Sequence, residues 1–164
     1  MKFKCLMCAR CCRDLTHENP LGVNGLLLLP EEVKLFENTG AEVYPFIGVG
    51  EDDEPEKILA YQLSSKVSPH LLEDDKCAIY PDRPLLCRSF PVEYVRGGLA
   101  FLAENCTFIN RNLRNLMVDV SYFSDVEVEA NLRLQERLRE EMKPYKTEVW
   151  IFDLATKKWK SMLR

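Results

Sequence analysis

Seven cysteines carry most of the chemistry this chain offers, and four of them crowd into one run, KCLMCARCC. Cys5, Cys8 and Cys11 are spaced C-x2-C-x2-C, and the turn inside each C-x2-C unit brings its two sulfurs to the same side. Thiolates presented in this way converge on one soft cation, and the three-thiol opening is the spacing of bacterial-type iron-sulfur ligation. Cys12 follows Cys11 directly. Adjacent side chains usually diverge, so the two are not expected to ligate one mononuclear ion together; one of them serves a second site or is simply buried.

Three more thiols come later, Cys77 and Cys87 in CAIYPDRPLLCRSFP and Cys106 in ENCTF. Pro81, Pro84 and Pro91 fix φ at three points and stiffen the loop that carries the first two. Thiolates around zinc or an iron-sulfur core leave a net negative centre, which needs donors and positive charge nearby. Arg10, Arg13, Arg83 and Arg88 all lie within four residues of a cysteine. Arg83 and Arg88 are the ones expected to support the bound group, and Tyr80 and Phe90 beside them are expected to keep water away.

Zinc and an iron-sulfur cluster, [4Fe-4S] on spacing, both remain open as the bound group, as does an iron ion. A structural zinc site prefers two close pairs of ligands, whereas a three-cysteine run plus one remote thiol suits a cluster at least as well. Disulfide chemistry ranks a distant second, because C-x2-C as a redox motif belongs at a helix start in a thioredoxin-like unit, and that pattern is not found here. His17, in THENP, reads as solvent-facing ahead of ligand or proton carrier.

KCLMCARCC followed by CAIYPDRPLLCRSFP resembles the YkgJ-type cysteine-cluster family, the CxxCxxCC proteins regarded as zinc- or iron-chelating domains. The resemblance covers roughly residues 3 to 108. It implies a metal-binding domain of largely undefined role, and one relative, the flagellin lysine methylase, carries an iron-sulfur cluster and uses S-adenosylmethionine. Carried over by position, the family's first cluster is Cys5, Cys8, Cys11 and Cys12, and its second motif is Cys77, Tyr80, Arg83, Pro84, Cys87, Arg88 and Pro91. Cys106 matches a later cysteine of many members. Where members often carry one further cysteine, this chain has Ser68, with His70 two residues on as a partly packed side chain ahead of a substitute ligand.

The elements that must position these thiols are short. With 164 residues, 46% of them apolar and 29% charged, the chain is expected to form one α+β domain over residues 1–164, small and irregular, with short strands, hairpins and a few helices around a cysteine-ligated site. Residues 3–108 are its metal-binding core and 109–164 a helix plus hairpin extension. No apolar run approaches the roughly 20 residues of a membrane span, and no leader peptide is visible, so the cytoplasm is expected, where thiols stay reduced. A net charge of -4 offers no general attraction to nucleic acid or anionic lipid. Nine acids against two bases between Glu31 and Lys57 read as a solvated loop, and nine bases against five acids from Asn131 onward as a solvated face.

Leu26 to Leu29 suits a buried strand, followed by a short helix that Pro30 opens and Gly40 closes. GVGEDDEPEK reads as a surface loop, Ile58 to Leu63 as a strand, and Ser68 to Pro91 as mostly irregular. PVEYVRGGLAFLAEN has the alternation of a hairpin turning at Gly97 and Gly98. Ser124 and Glu127 form a capping-box pattern for a helix whose Val126, Ala130, Leu134, Leu138 and Met142 make a core stripe until Pro144. TEVWIFDLATKKWKSML then makes a terminal hairpin with Val149, Ile151 and Trp159 inward.

Two function classes follow. A binding module would store, deliver or sense metal, or pass electrons to a protein partner; a cluster-dependent methyl-transfer enzyme is the alternative. The chain shows no Gly-rich nucleotide loop and no nucleophile beside a histidine, so the first class asks for fewer missing residues.

Overall fold

Short apolar runs punctuated by glycine and proline fold here into antiparallel ladders. The computed structural model describes residues 2–51, 54–145 and 148–162. In chain order the first strands are β1 (His17–Asn19), β2 (Gly22–Asn24), β3 (Leu26–Leu28), β4 (Glu42–Gly50) and β5 (Lys57–Ser64). After them come helix α1 (Leu85–Ser89), β6 (Val92–Arg96), β7 (Leu99–Leu102), α2 (Thr107–Asn112) and β8 (Met117–Asp119). The chain continues with α3 (Asp125–Met142), β9 (Glu148–Asp153) and β10 (Lys158–Ser161), and four short 3-10 turns sit between these elements among the described residues. The fold is mixed α+β, built on small antiparallel sheets, and it divides into two compact units.

The sheet unit comprises Asp14–Pro69 and Leu138–Arg164. Its five-stranded sheet runs β10-β9-β4-β5-β3, with β1 and β2 paired as a separate ribbon. All three residues of β3 are buried, as the run of leucines predicts. Pro30 does open the next helix, but it is a 3-10 turn that ends at Leu35, well before Gly40. Glu32 closes its start by accepting the Leu29 N–H at 2.9 Å.

The expected loop beginning at Gly48 is in part strand, because β4 continues to Gly50. Gly48 is needed there: a Cβ would run into the side chain of Pro55 and the edge of Trp159. Asp52 and Asp53 of that loop lie outside the described residues. The C-terminal hairpin forms as expected, described from Glu148 onward, with one change. Trp150 and Ile151 are both buried although they face opposite sides of the strand, while Val149 and Trp159 are only half-buried.

The unit seals polar groups inside. Gln62 donates to the carbonyls of Pro45 and Phe152, both at 2.9 Å, and accepts the Gly25 N–H at 2.8 Å. Asp153, only 1% exposed, accepts from Val23 N, Ala155 N, Thr156 Oγ1 and Lys160 Nζ at 2.7 to 3.0 Å. The Thr156 hydroxyl first, then the Val23 N–H and the Lys160 ammonium, hold its carboxyl well below the usual aspartate range.

The cysteine unit comprises Met1–Arg13 and His70–Arg137. Its sheet is β6-β7-β8, and Gly97 and Gly98 both adopt positive φ, 59° and 78°, in the tight turn between β6 and β7. Val92, Val95, Ala100, Leu102, Cys106, Ile109 and Phe123 form its core. Ser124 Oγ donates to the Glu127 carboxylate, side chain to side chain, at the start of α3. The expected core stripe begins later than predicted, since Val126 in the first turn is 53% exposed. Ala130, Asn131 and Leu134 are the buried positions, and Asn131 ties the helix to the sheet by donating to the Val92 carbonyl at 3.1 Å. Among the described residues no helix is long and apolar enough to cross a membrane.

Candidate metal centre

All seven cysteines fall in the cysteine unit, and none is in a disulfide. Cys5, Cys8, Cys11 and Cys12 ride on a loop that bends twice through left-handed backbone, at Met7 (φ 52°) and Ala9 (φ 56°). Each such bend costs a non-glycine residue roughly 1–2 kcal/mol, so something must hold the loop in place. Part of the answer is local: the Met7 N–H donates to Cys5 Sγ at 3.5 Å, and the Cys12 and Arg13 N–H groups both donate to the Ala9 carbonyl, at 3.0 and 3.1 Å. The 3-10 turn Cys11–Arg13 follows, and an ion pair between Arg13 and Asp75 ties its end to the Leu72–Lys76 turn. Cys77 stands just beyond that turn, in a one-residue bridge with Leu71.

The proline-rich segment is less irregular than expected. Tyr80–Asp82 forms a 3-10 turn, and Pro84 precedes helix α1, which carries Cys87 and Arg88. Arg83 donates to the Tyr80 carbonyl at 2.6 Å, and its guanidinium lies 3.9 Å from the centre of the Tyr80 ring. Arg88 Nε donates to the Arg83 carbonyl at 2.8 Å. Both arginines therefore hold the backbone that presents Cys87. Tyr80 is exposed, so the water-excluding role expected of it does not fit, whereas Phe90 packs on the unit's core.

Cys106 is 7% exposed and immediately precedes α2. Its neighbour Thr107 hydrogen-bonds Cys8 across the unit, with 3.5 Å between Oγ1 and Sγ. A hydroxyl proton turned onto that sulfur, then the Arg10 backbone and charge, lower the Cys8 pKa against the opposing effect of burial. Cys11 and Cys12 follow one another on the tight turn after Ala9 and shift one another's pKa in opposite directions. Cys12 is the member that ionises first: the bond from Cys11, then the charges of Arg13 and Arg83, pull its pKa down. Cys11 is pushed up by that same bond, by burial, and by the charges of Cys12, Cys87 and Cys5. Cys106 is pushed up chiefly by burial, with Cys5 and Cys8 adding to it and the N–H groups of Ile109 and Phe108 opposing.

Charge effects connect Cys11 with Cys12, Cys87 and Cys5, and Cys106 with Cys5 and Cys8, whereas Cys77 stands at its small bridge. Among the described residues no three cysteine, histidine, aspartate or glutamate side chains come together closely enough to hold a metal ion. The donor chemistry nonetheless fits a thiophilic cation. Thiols from two separated stretches of chain help push up the pKa of Cys11 and of Cys106, and a bound cation relieves that repulsion. The Tyr122 ring packs against this core with its hydroxyl buried and unpartnered, as Trp150 Nε1 is in the sheet unit.

His17 is exposed on β1 of the sheet unit, and half-buried His70 accepts the Ala78 N–H at its carbonyl at 2.8 Å. Sequence reasoning missed Thr107, Asp75 and Tyr122. Thr107 was legible only as the neighbour of a candidate ligand, and the other two carry no motif.

A family model, CxxCxxCC, described as "Putative zinc- or iron-chelating domain", matches residues 4–110. No curated protein and no solved structure matches the chain.

Proposed function

We propose, since this chain belongs to the CxxCxxCC family, that its cysteine unit is a binding module for zinc, iron or an iron-sulfur cluster. Cys5, Cys8, Cys11 or Cys12, Cys87 and Cys106 are the ligands drawn upon, and Arg83 and Arg88 hold the Cys87 segment in position. A cluster would supply one-electron chemistry, while a single ion would supply a cross-link between the N-terminal loop and α1. The module stores, senses or hands on its metal, or an electron, to a protein partner in a reducing compartment, the cytoplasm being the natural one for persistent thiols.

One observation carries this reading: seven thiols segregate into one unit, free of disulfides, while the other unit contains none. Seven scattered small hydrophobes would have no reason to segregate. Metal analysis and an absorption spectrum on anaerobically purified protein test it. Stoichiometric iron with a broad visible charge-transfer band identifies a cluster, colourless protein with stoichiometric zinc identifies an ion, and protein without either metal overturns the reading. Cys87→Ser is expected to lower metal content as strongly as Cys8→Ser.

A further inference from the structure

Large apolar side chains stand exposed in loops, turns and α3, but among the described residues those carried by strands all lie in one small sheet. They are Tyr94 on β6, Leu99 and Phe101 on β7 and Met117 on β8, 36 to 47% exposed. Register puts all four on one face. Tyr94 stands opposite Phe101 and Phe101 opposite Met117, while two residues along β7 a second row runs Arg96, Leu99, Asp119. Val95 and Ala100, between the two rows, point the other way into the unit's core. The Tyr94 and Phe101 ring centres lie 6.2 Å apart.

Aromatic and thioether side chains held together in water favour a covering surface, and the order of this face decides which one fits. Arg96 and Asp119 are exposed and sit one strand to either side of Leu99, roughly 10 Å from each other at ordinary strand separation. No ion pair ties Arg96 to another described residue. Asp119 takes the Ser121 N–H on one oxygen at 2.9 Å, which leaves the other for an incoming guanidinium.

Turned over by a two-fold axis that runs along β7, a second copy of the face answers both rows. Leu99 meets Leu99 and Phe101 meets Phe101 on the axis, Tyr94 meets Met117, and Arg96 meets Asp119 on each side. Sulfur-aromatic contact and opposite charge both favour that arrangement. A two-fold across the strands instead sets Asp119 on Met117, burying carboxylates unpaired. The face is its own complement in one orientation, that of two sheets packed with their strands aligned.

We propose that this chain forms a homodimer in which the β6-β7-β8 faces of two copies pack on each other, Arg96 of one copy paired with Asp119 of the other. Six side chains a copy fall short of the roughly 20–30 residues a side of a standard interface, so the dimer is a weak one that forms as concentration rises.

Sedimentation velocity of the full chain over a concentration series, with reductant throughout and with and without added zinc, tests it. Wild type is expected to pass from monomer to dimer between micromolar and millimolar concentration under both conditions. Phe101→Glu, which sets two carboxylates against each other on the axis, should weaken association roughly a hundred-fold, and Arg96→Glu and Asp119→Arg roughly ten-fold each. Mixed together, the two charge variants should associate about as well as wild type, because each then meets the opposite sign. Asp119→Arg also loses the bond to Ser121, so Phe101→Glu supplies a reading that leaves that turn intact, and circular dichroism checks that every variant is folded. Wild type that stays monomeric at the highest concentration overturns the inference and gives the face to a partner of another sequence. An association that Phe101→Glu leaves unchanged, that the mixed pair fails to restore, or that appears only with zinc overturns it as well.

Discussion

In the sheet unit, Gln62 meets three partners and Asp153 four, although both are sealed from solvent. In the cysteine unit, Cys11 and Cys106 are pushed toward the neutral form by burial and by other thiols, and the Tyr122 hydroxyl meets nothing. The first pattern is what folding demands, because a polar atom taken out of water must find a partner within the chain. The second makes sense when part of the partnership comes from outside the chain. Trp150 Nε1 of the sheet unit is sealed without a partner as well, so it is the crowding of thiols, and not one open polar atom, that sets the cysteine unit apart.

Removing the metal is the strongest way to press that contrast. Stripping with a chelator is expected to raise hydrogen exchange most in residues 5–13 and 77–88, while amides of β4, β5 and β9 stay protected. Apparent binding energies of thiolate zinc sites run to about 10–16 kcal/mol, so the change in the cysteine unit should be large. Equal loosening of both units would remove the distinction between them.

Asp153→Ala reverses the direction of attack. It leaves Val23, Ala155, Thr156 and Lys160 without their acceptor, and a cost of roughly 3 kcal/mol is expected from loss of a buried, fully bonded charge. Denaturant midpoints read this, and metal stoichiometry should not change. Because the folded carboxyl titrates below its unfolded value, its contribution is complete above about pH 5 and fades as pH falls through and below the ordinary aspartate range near 4. The variant should therefore lose less stability than wild type on acidification.

The smallest expected effect lies within the vicinal pair. Cys12 should be alkylated at lower pH than Cys11 in metal-free protein, because the Cys11 bond and the charges of Arg13 and Arg83 favour its thiolate. Arg83→Gln should move that onset upward, by less than one pH unit for a partly solvated charge pair. Peptide mapping after pulse alkylation resolves the two, and indifference to Arg83 would detach it from the thiols.

Much of this was legible wherever one local signal decides the backbone. Gly97 and Gly98 turn the β6–β7 hairpin because both need positive φ, and Ser124 with Glu127 marks the start of α3, where the two side chains bond each other. β4 was hidden for the opposite reason. Pro45, Gly48 and Gly50 speak against a strand taken one by one, and they are tolerated through ladder irregularities around Ile47 and through the close approach of Pro55, just beyond the strand, and of Trp159, distant in sequence. Val126 misled because periodicity reports which residues share a face but not where along the helix the partner begins. At the candidate site the cysteine spacing marked the thiols, whereas Thr107 reaches Cys8 across 99 residues of chain and the Tyr122 carbonyl reaches Phe3 across 119, and no spacing rule covers such distances.

Separation along the chain also becomes separation in time. Cys77 comes 65 positions after Cys12, and Cys106 follows later still. At ordinary synthesis rates the four N-terminal thiols leave the ribosome roughly 3–13 s before the first of their downstream counterparts. Through that interval the nascent chain carries reduced sulfurs on a loop whose fastenings, Asp75, Thr107 and Tyr122, have not yet been made.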